Sequence, residues 1–185
     1  MGSNDYHESV MVREVLENLH LNNRPRGLKK ASKYIDATLG TGGHALEIIK
    51  AGGNVLGIEA DPEMLKIAKE RMPEGNFVLG NFTSIDKIAK ANDFDKISGI
   101  LFDLGATNLQ LMSDRRGFSF GNPDADLDMR LNPEVQGVKG ADLLNVLRED
   151  QLKYLFGVTL EAGSVKWLVK RILQKRPIKT VGDFS

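Results

Sequence analysis

Residues 34–44 read YIDATLGTGGH: an apolar strand ending on Asp36, a glycine turn through Gly40, Gly42 and Gly43, and then a helix over 45–50. Glycines between a strand and a helix permit a sharp bend and let the backbone approach a bound molecule. A second acid, Glu59, closes the next apolar run, 55–58. That is about where parallel nucleoside-binding sheets place a ribose-binding carboxylate. Together these features outline a nucleotide-type pocket at the ends of two strands. The plainer reading, a glycine turn that only lets a helix pack on its strand, has to be weighed against the rest of the chain.

The spacing is D-x-T-x-G-x-G-G, not the dinucleotide fingerprint G-x-G-x-x-G, because no glycine follows three positions after Gly43. An adenosyl ligand suits it better than a dinucleotide. A pyrophosphate favours a cation or an open helix N-terminus, whereas S-adenosylmethionine carries a sulfonium and an amino group that sit well beside a carboxylate such as Asp36.

With 185 residues and 41% hydrophobic content, the chain can form one substantial domain with a small appendage. Lys plus Arg and Asp plus Glu both number 25, so overall charge does not suffice to hold the chain to nucleic acid, and charge has to be read locally. Cysteine is absent, which excludes disulfides and cysteine zinc sites and fits a reducing compartment. No metal is expected. The start MGSNDYHESV lacks the pattern of a signal peptide, and no run approaches a membrane span, so a cytoplasmic protein is expected, with Met1–Ser3 read as an expression scar.

Val10, Met11, Val15, Leu16 and Leu19 lie on one face of an opening helix, which gives way to a loop at 22–27. Four apolar runs, 34–37, 55–58, 77–79 and 97–102, then alternate with helical stretches at 45–50, 63–71 and 85–91. This alternation predicts a parallel sheet with right-handed crossovers. Asp61 followed by Pro62 reads as a helix cap with a first-turn proline, which leaves Glu59 as the better ribose acceptor. Residues 104–132 show no steady period yet hold RRGFSF and DLDMR, dense in aromatic, Met and Arg side chains. Helices return from Gly140, with Leu143, Leu144 and Leu147 on one face, then Leu152, Leu155 and Phe156 on another. A last helix over 165–175 mixes Trp167, Leu168, Ile172 and Leu173 with Lys166, Lys170, Arg171 and Lys175. Those cations read either as a solvated amphipathic face or as a phosphate-contacting surface.

The order YHESVMVREVLENL, DATLGTGGHALEII, GIEADPEMLKIAKERM, GNF, DLGATNLQL, RRGFSF and LDMR resembles the RsmH (MraW) family, the ribosomal RNA small-subunit methyltransferase H proteins. The resemblance is strongest from Asp36 to Arg130 and weakens after Phe156. It implies an α/β class I methyltransferase (Rossmann-like) parallel sheet with a helical region inserted after the fourth strand. It also implies S-adenosylmethionine-dependent methylation of the exocyclic N4 of a cytidine in small-subunit ribosomal RNA. On this reading residues 1–108 bind the cofactor, 109–139 form a substrate-side loop region and 140–185 a helical insert.

The resemblance places adenosylmethionine contacts on Gly42, Gly43 and His44, with Asp36 and Gly40 in the same turn. Glu59 falls at the ribose, Phe82 beside the adenine, and Asp103 and Gln110 where cofactor meets substrate. Asp103, at the end of the fourth strand, is the candidate acceptor for a proton of the cytosine amine. Phe118 and Phe120 are expected to stack on bases, and Arg115, Arg116 and Arg130 to meet phosphates, around a base extruded from its helix. Without the resemblance, His44 reads as a first-turn helix residue, Phe82 as core and Asp103 as a cap.

Departures accompany the matches. Glu59 stands where the family has Asp, LGATNLQ replaces LGVSSPQ, and GVTLEAGS replaces a Y-G-E-E-R stretch. Family members continue beyond the equivalent of Ser185, returning to the sheet with an S-F-H-S-L-E-D motif. A sheet of order 3-2-1-4-5-7-6 without its last three strands leaves 97–102 with a bare edge. The C-terminal helices folding over that edge, or a homodimer pairing along it, are the two expected covers. Other functional classes stay open: a catalytically silent RNA- or ribosome-binding protein, a methyltransferase for a small molecule or protein, and, more distantly, a dinucleotide oxidoreductase.

Overall fold

The computed structural model describes residues 9–21 and 32–185. The loop expected at 22–27 and the first three residues lie outside them. The chain divides into two compact units, one through Thr107 and one from Asn108 to Ser185.

In the first unit, α1 (Val12–Asn18) precedes β1 (Lys33–Asp36), α2 (Gly43–Lys50), β2 (Asn54–Glu59), α3 (Pro62–Arg71), β3 (Asn76–Leu79), a 3-10 turn (Phe82–Ser84), α4 (Ile85–Ala91) and β4 (Gly99–Leu101). The strands form a wholly parallel sheet in the order β3-β2-β1-β4, the first four places of the order expected from sequence. Alternation sorts the strand side chains into two cores. Tyr34 and Val55 face α2 and α3, joining Leu39, Ala45, Ile48, Leu65 and Phe77. Ile35, Leu56 and Ile58 face the other way, with Ala89 and Phe94.

Two boundaries differ from expectation for physical reasons. The helix after the glycine turn begins at Gly43, because Gly42, at φ 84°, serves as its N-cap and bends the chain two residues early. The fourth strand is shorter than 97–102, because β1 offers only Tyr34–Asp36 as partners for Gly99–Leu101. Asp61 is the N-cap of α3, accepting from the Glu63 N–H at 3.0 Å with Pro62 in the first turn. Asp61→Ala is expected to lower the unfolding free energy by about 1 kcal/mol, read as a shift in urea midpoint with unchanged slope.

The second unit contains α5 (Asn108–Leu111), α6 (Gly140–Val146), α7 (Glu149–Gly157), α8 (Ala162–Lys175) and α9 (Val181–Phe184). Ala125 and Leu127, from the aperiodic stretch, share one core with Leu144, Leu152, Val165, Val169, Ile172 and Val181. Leu152 is fully buried, but Leu155 is 41% exposed and Leu143 38%, so the expected leucine faces are narrower than their sequence spacing suggests. α8 starts three residues before the expected 165. No helix among the described residues is long and apolar enough to cross a membrane.

Candidate cofactor and methyl-transfer site

The C-terminal ends of β1, β2 and β4 converge at the glycine turn. Asp36, the last residue of β1, is 1% exposed; its Oδ1 accepts from the Thr38 N–H at 3.2 Å, while its buried Oδ2 has no partner among the described residues. Burial raises its pKa to about 7 against the pull of the Thr38 amide and, more weakly, of the Ala45 amide, and the carboxylates of Glu59 and Asp103 add to the rise.

Glu59 is buried at the end of β2 and joins the two strand ends. Its Oε2 accepts from the Gly40 N–H at 2.6 Å and its Oε1 from the Asp61 N–H at 2.8 Å. Burial pushes its pKa up, and these amides pull it back. Each oxygen keeps a second acceptor site for a hydroxyl. Thus the acid expected at the ribose also holds the turn in shape, a role its position in sequence did not disclose.

The turn is braced from other sides too. Arg71, on α3, donates from Nη1 to the Thr41 carbonyl at 2.8 Å. Gly42, at φ 84°, is held to glycine by its left-handed backbone, whereas a Cβ on Gly42 or Gly43 would first meet the ends of flexible side chains, Met72 Cε and Ser9 Oγ, which can turn aside. The plainer reading as a turn residue therefore holds at Gly42 alongside any ligand role.

His44 lies in the first turn of α2, 8% exposed, with Nε2 3.5 Å from Asp103 Oδ2 and with Nδ1 buried and without a partner among the described residues. Asp103 follows β4; its N–H donates to Thr38 Oγ1 at 2.7 Å and its side chain is half exposed. Thr38 thus anchors both acids, donating to Asp36 and accepting from Asp103. It stands within the D-x-T spacing, the only sequence signal that could have singled it out. Phe82 is 38% exposed rather than core, its ring edge-on to Phe102 at 5.7 Å between centroids. The neighbouring Asn81 side chain caps that turn by accepting from the Thr83 N–H.

The remaining expected site residues belong to the second unit. Gln110 is buried on α5. Arg115 and Phe120 are exposed, and Phe118 is half-buried. Arg116 lies over the Phe118 ring and donates to the Arg130 and Leu131 carbonyls at 2.9 and 2.7 Å. Arg130 makes a two-pronged pair with Asp128 at 2.6 and 2.8 Å and donates to the Gln136 carbonyl. Arg130 holds the Asp128 carboxyl below the usual range. Two of the three arginines expected at phosphates are therefore braces within their own unit; Arg115 is the exposed one. Among the described residues no cluster of His, Asp or Glu could hold a metal ion.

A parallel sheet in this order, with a glycine turn after β1 and buried acids at the ends of β1 and β2, has the class I methyltransferase arrangement. The MraW methylase family matches residues 4–185, and the chain belongs to that family. It is 38% identical over 187 residues to the ribosomal RNA small subunit methyltransferase H of Dictyoglomus thermophilum, covering 96% of this chain and 60% of the relative. The protein of the same name from Clostridium botulinum (strain Loch Maree / Type A3) is 36% identical over 186 residues, covering 96% and 57%. The chain thus spans about six-tenths of the length of the curated relatives it matches. Among solved structures, a TehB-like SAM-dependent methyltransferase from Corynebacterium glutamicum aligns with 38% of this chain and 44% of its own at 25% identity, with a TM-score of 0.28 that carries nothing further.

Proposed function

We propose that the first unit binds S-adenosylmethionine and that the protein methylates the exocyclic N4 of a cytidine in small-subunit ribosomal RNA in the cytoplasm. The observation that carries the reading is a pair of buried polar atoms at the glycine turn, Asp36 Oδ2 and His44 Nδ1, that have no hydrogen-bond partner among the described residues. Left alone, such groups are costly; a ligand bearing an ammonium group would satisfy them. Glu59 would accept from the ribose hydroxyls and Phe82 would offer its ring to the adenine. Gly40, Gly42 and Gly43 would shape the backbone around the methionine portion.

Bound adenosylmethionine supplies a methyl group already activated on sulfur. The chain's own residues have to align the attacking nitrogen and exclude water. Cytosine's amine is a weak nucleophile because its lone pair is delocalised into the ring. Asp103, held by Thr38 and faced by His44, would accept one N–H of that amine, favour a more pyramidal nitrogen and take up the proton as the methyl arrives. Arg115, Phe118 and Phe120 would receive the extruded base and its phosphates, with Arg116 and Arg130 shaping that wall.

Calorimetry with adenosylmethionine, followed by a methyl-transfer assay on small ribosomal subunits, tests the reading. Binding together with transfer to cytidine N4 is expected. Binding without transfer would leave a silent RNA-binding relative, and no binding at millimolar ligand would overturn the cofactor site itself.

The partner reading includes a second copy of the chain. β4 pairs with β1 alone among the described residues, and Ile100 and Phe102 beside that edge are 42% and 47% exposed. Sedimentation is expected to show a dimer that Ile100→Lys dissociates. A wild-type monomer at tens of micromolar would remove the homodimer.

A further inference from the structure

From Ala162 to Gly182 the chain carries Lys166, Lys170, Arg171, Lys175, Arg176 and Lys179 and no acidic residue, although the whole chain is neutral. The structure separates these cations by task. Arg176 is turned inward, donating to the Leu144 and Leu147 carbonyls, and Lys175 reaches the Gly182 and Ser185 carbonyls at the C-terminus. α8 buries Val165, Val169 and Ile172 in its unit. The opposite face presents Lys166, Trp167, Lys170 and Arg171, all exposed. Lys166 and Lys170 have no carboxylate partner among the described residues. They stand four apart, a like-charge spacing that weakens a helix unless an anion lies across it.

Trp167 is the only tryptophan in the chain and is 64% exposed. The Arg171 guanidinium, one turn onward, lies 5.6 Å from its ring centre. One turn back, a shallow depression of about 410 Å³ is lined by Leu160, Gly163, Ser164, Trp167 and Leu168. Cations flanking an exposed indole beside an open depression make a platform on which one base can stack while its neighbours' phosphates meet the lysines. A lipid surface fits poorly, because the apolar face of this amphipathic helix is already buried in the unit.

We propose that this face of α8 binds single-stranded RNA, with a base on Trp167 and phosphates on Lys166, Lys170 and Arg171. The choice of RNA rests on the function proposed above; binding by this face does not depend on methyl transfer.

The lone tryptophan provides the readout. Titration with a mixed-sequence, unstructured RNA 15-mer is expected to quench its emission, with affinity falling steeply between about 50 and 200 mM salt. Heparin, which has charge but no bases, is expected to compete without quenching. In anisotropy with labelled RNA, Trp167→Leu should weaken binding about fivefold or more. The triple change Lys166→Ala, Lys170→Ala, Arg171→Ala should weaken it about tenfold or more. Adenosylmethionine titration and circular dichroism monitor the folding of each variant. Unchanged affinity in both variants, binding without quenching, or equal quenching by polyglutamate or phosphatidylserine vesicles would overturn the proposal. Quenching by RNA in a protein that transfers no methyl group would defeat the functional reading and leave this surface standing. Transfer with an unchanged KM for ribosomal subunits in both variants would do the reverse.

Discussion

Asp103→Asn is expected to leave adenosylmethionine binding within about threefold of wild type and to slow methyl transfer to small ribosomal subunits by about 10²–10³-fold. Asparagine keeps the shape of the side chain, and the Asp103 N–H can still donate to Thr38 Oγ1, so the loop should not move. What disappears is the charge that can accept a proton from the attacking amine. His44 also loses the anion facing its Nε2. Single-turnover kinetics with cofactor prebound separates this from weakened binding. Transfer at more than a third of the wild-type rate would remove Asp103 from the chemistry and restore its reading as a loop cap.

Asp36→Asn is expected to act in opposite directions on stability and on binding. The folded-state pKa of Asp36 is raised from 3.8 to about 7, so between those values the folded protein holds a proton that the unfolded chain has lost. Stability contributed by this group therefore falls as pH rises from about 4 to 7 and is level above. At about 1.4 kcal/mol per pKa unit, the difference of roughly three units amounts to about 4 kcal/mol as an upper bound. Asparagine has no such proton to lose. The variant should gain stability over wild type at pH 8, with a smaller gain at pH 5, measured as urea midpoints without ligand. Its affinity for adenosylmethionine should fall about tenfold or more, because a charge-assisted contact to the ligand's ammonium is lost. A difference between the two proteins that is the same at pH 5 and pH 8 would show that the pKa of Asp36 is not raised in the folded state. Undiminished affinity would place the ligand elsewhere.

Much of the first unit was legible in the chain itself. Apolar runs of three to six residues alternating with helical periods are the signature of a parallel sheet, and all four runs pair in it. Asp61-Pro62 announced a helix start, and it is one. Side-chain traffic across the turn was less visible. That Glu59 bonds to Gly40 depends on two strands separated by a helix lying side by side. Nothing local to either segment encodes it. The arginines of RRGFSF and DLDMR were ambiguous for a related reason: a guanidinium aimed at RNA and one that braces a loop look the same in sequence. Here the guanidinium groups of Arg116 and Arg130 donate to carbonyls and a carboxylate nearby. The aperiodic stretch 104–132 gave no helix or strand period, yet it supplies Ala125 and Leu127 to a core shared with α6 and α8.

Local pattern alone determined the alternation of strand and helix, the bend at Gly40–Gly43 and the acids that close β1 and β2, because these follow from backbone preference and short-range periodicity. Only the tertiary structure decided which polar groups are paired and which are left over. Asp36 Oδ2 and His44 Nδ1 are orphaned, Arg116 and Arg130 are spent inside their unit, and Trp167 with its cations is left in solvent. Burial and hydrogen-bond partnership are properties of packed neighbours distant in the chain, and they emerge only when those neighbours meet.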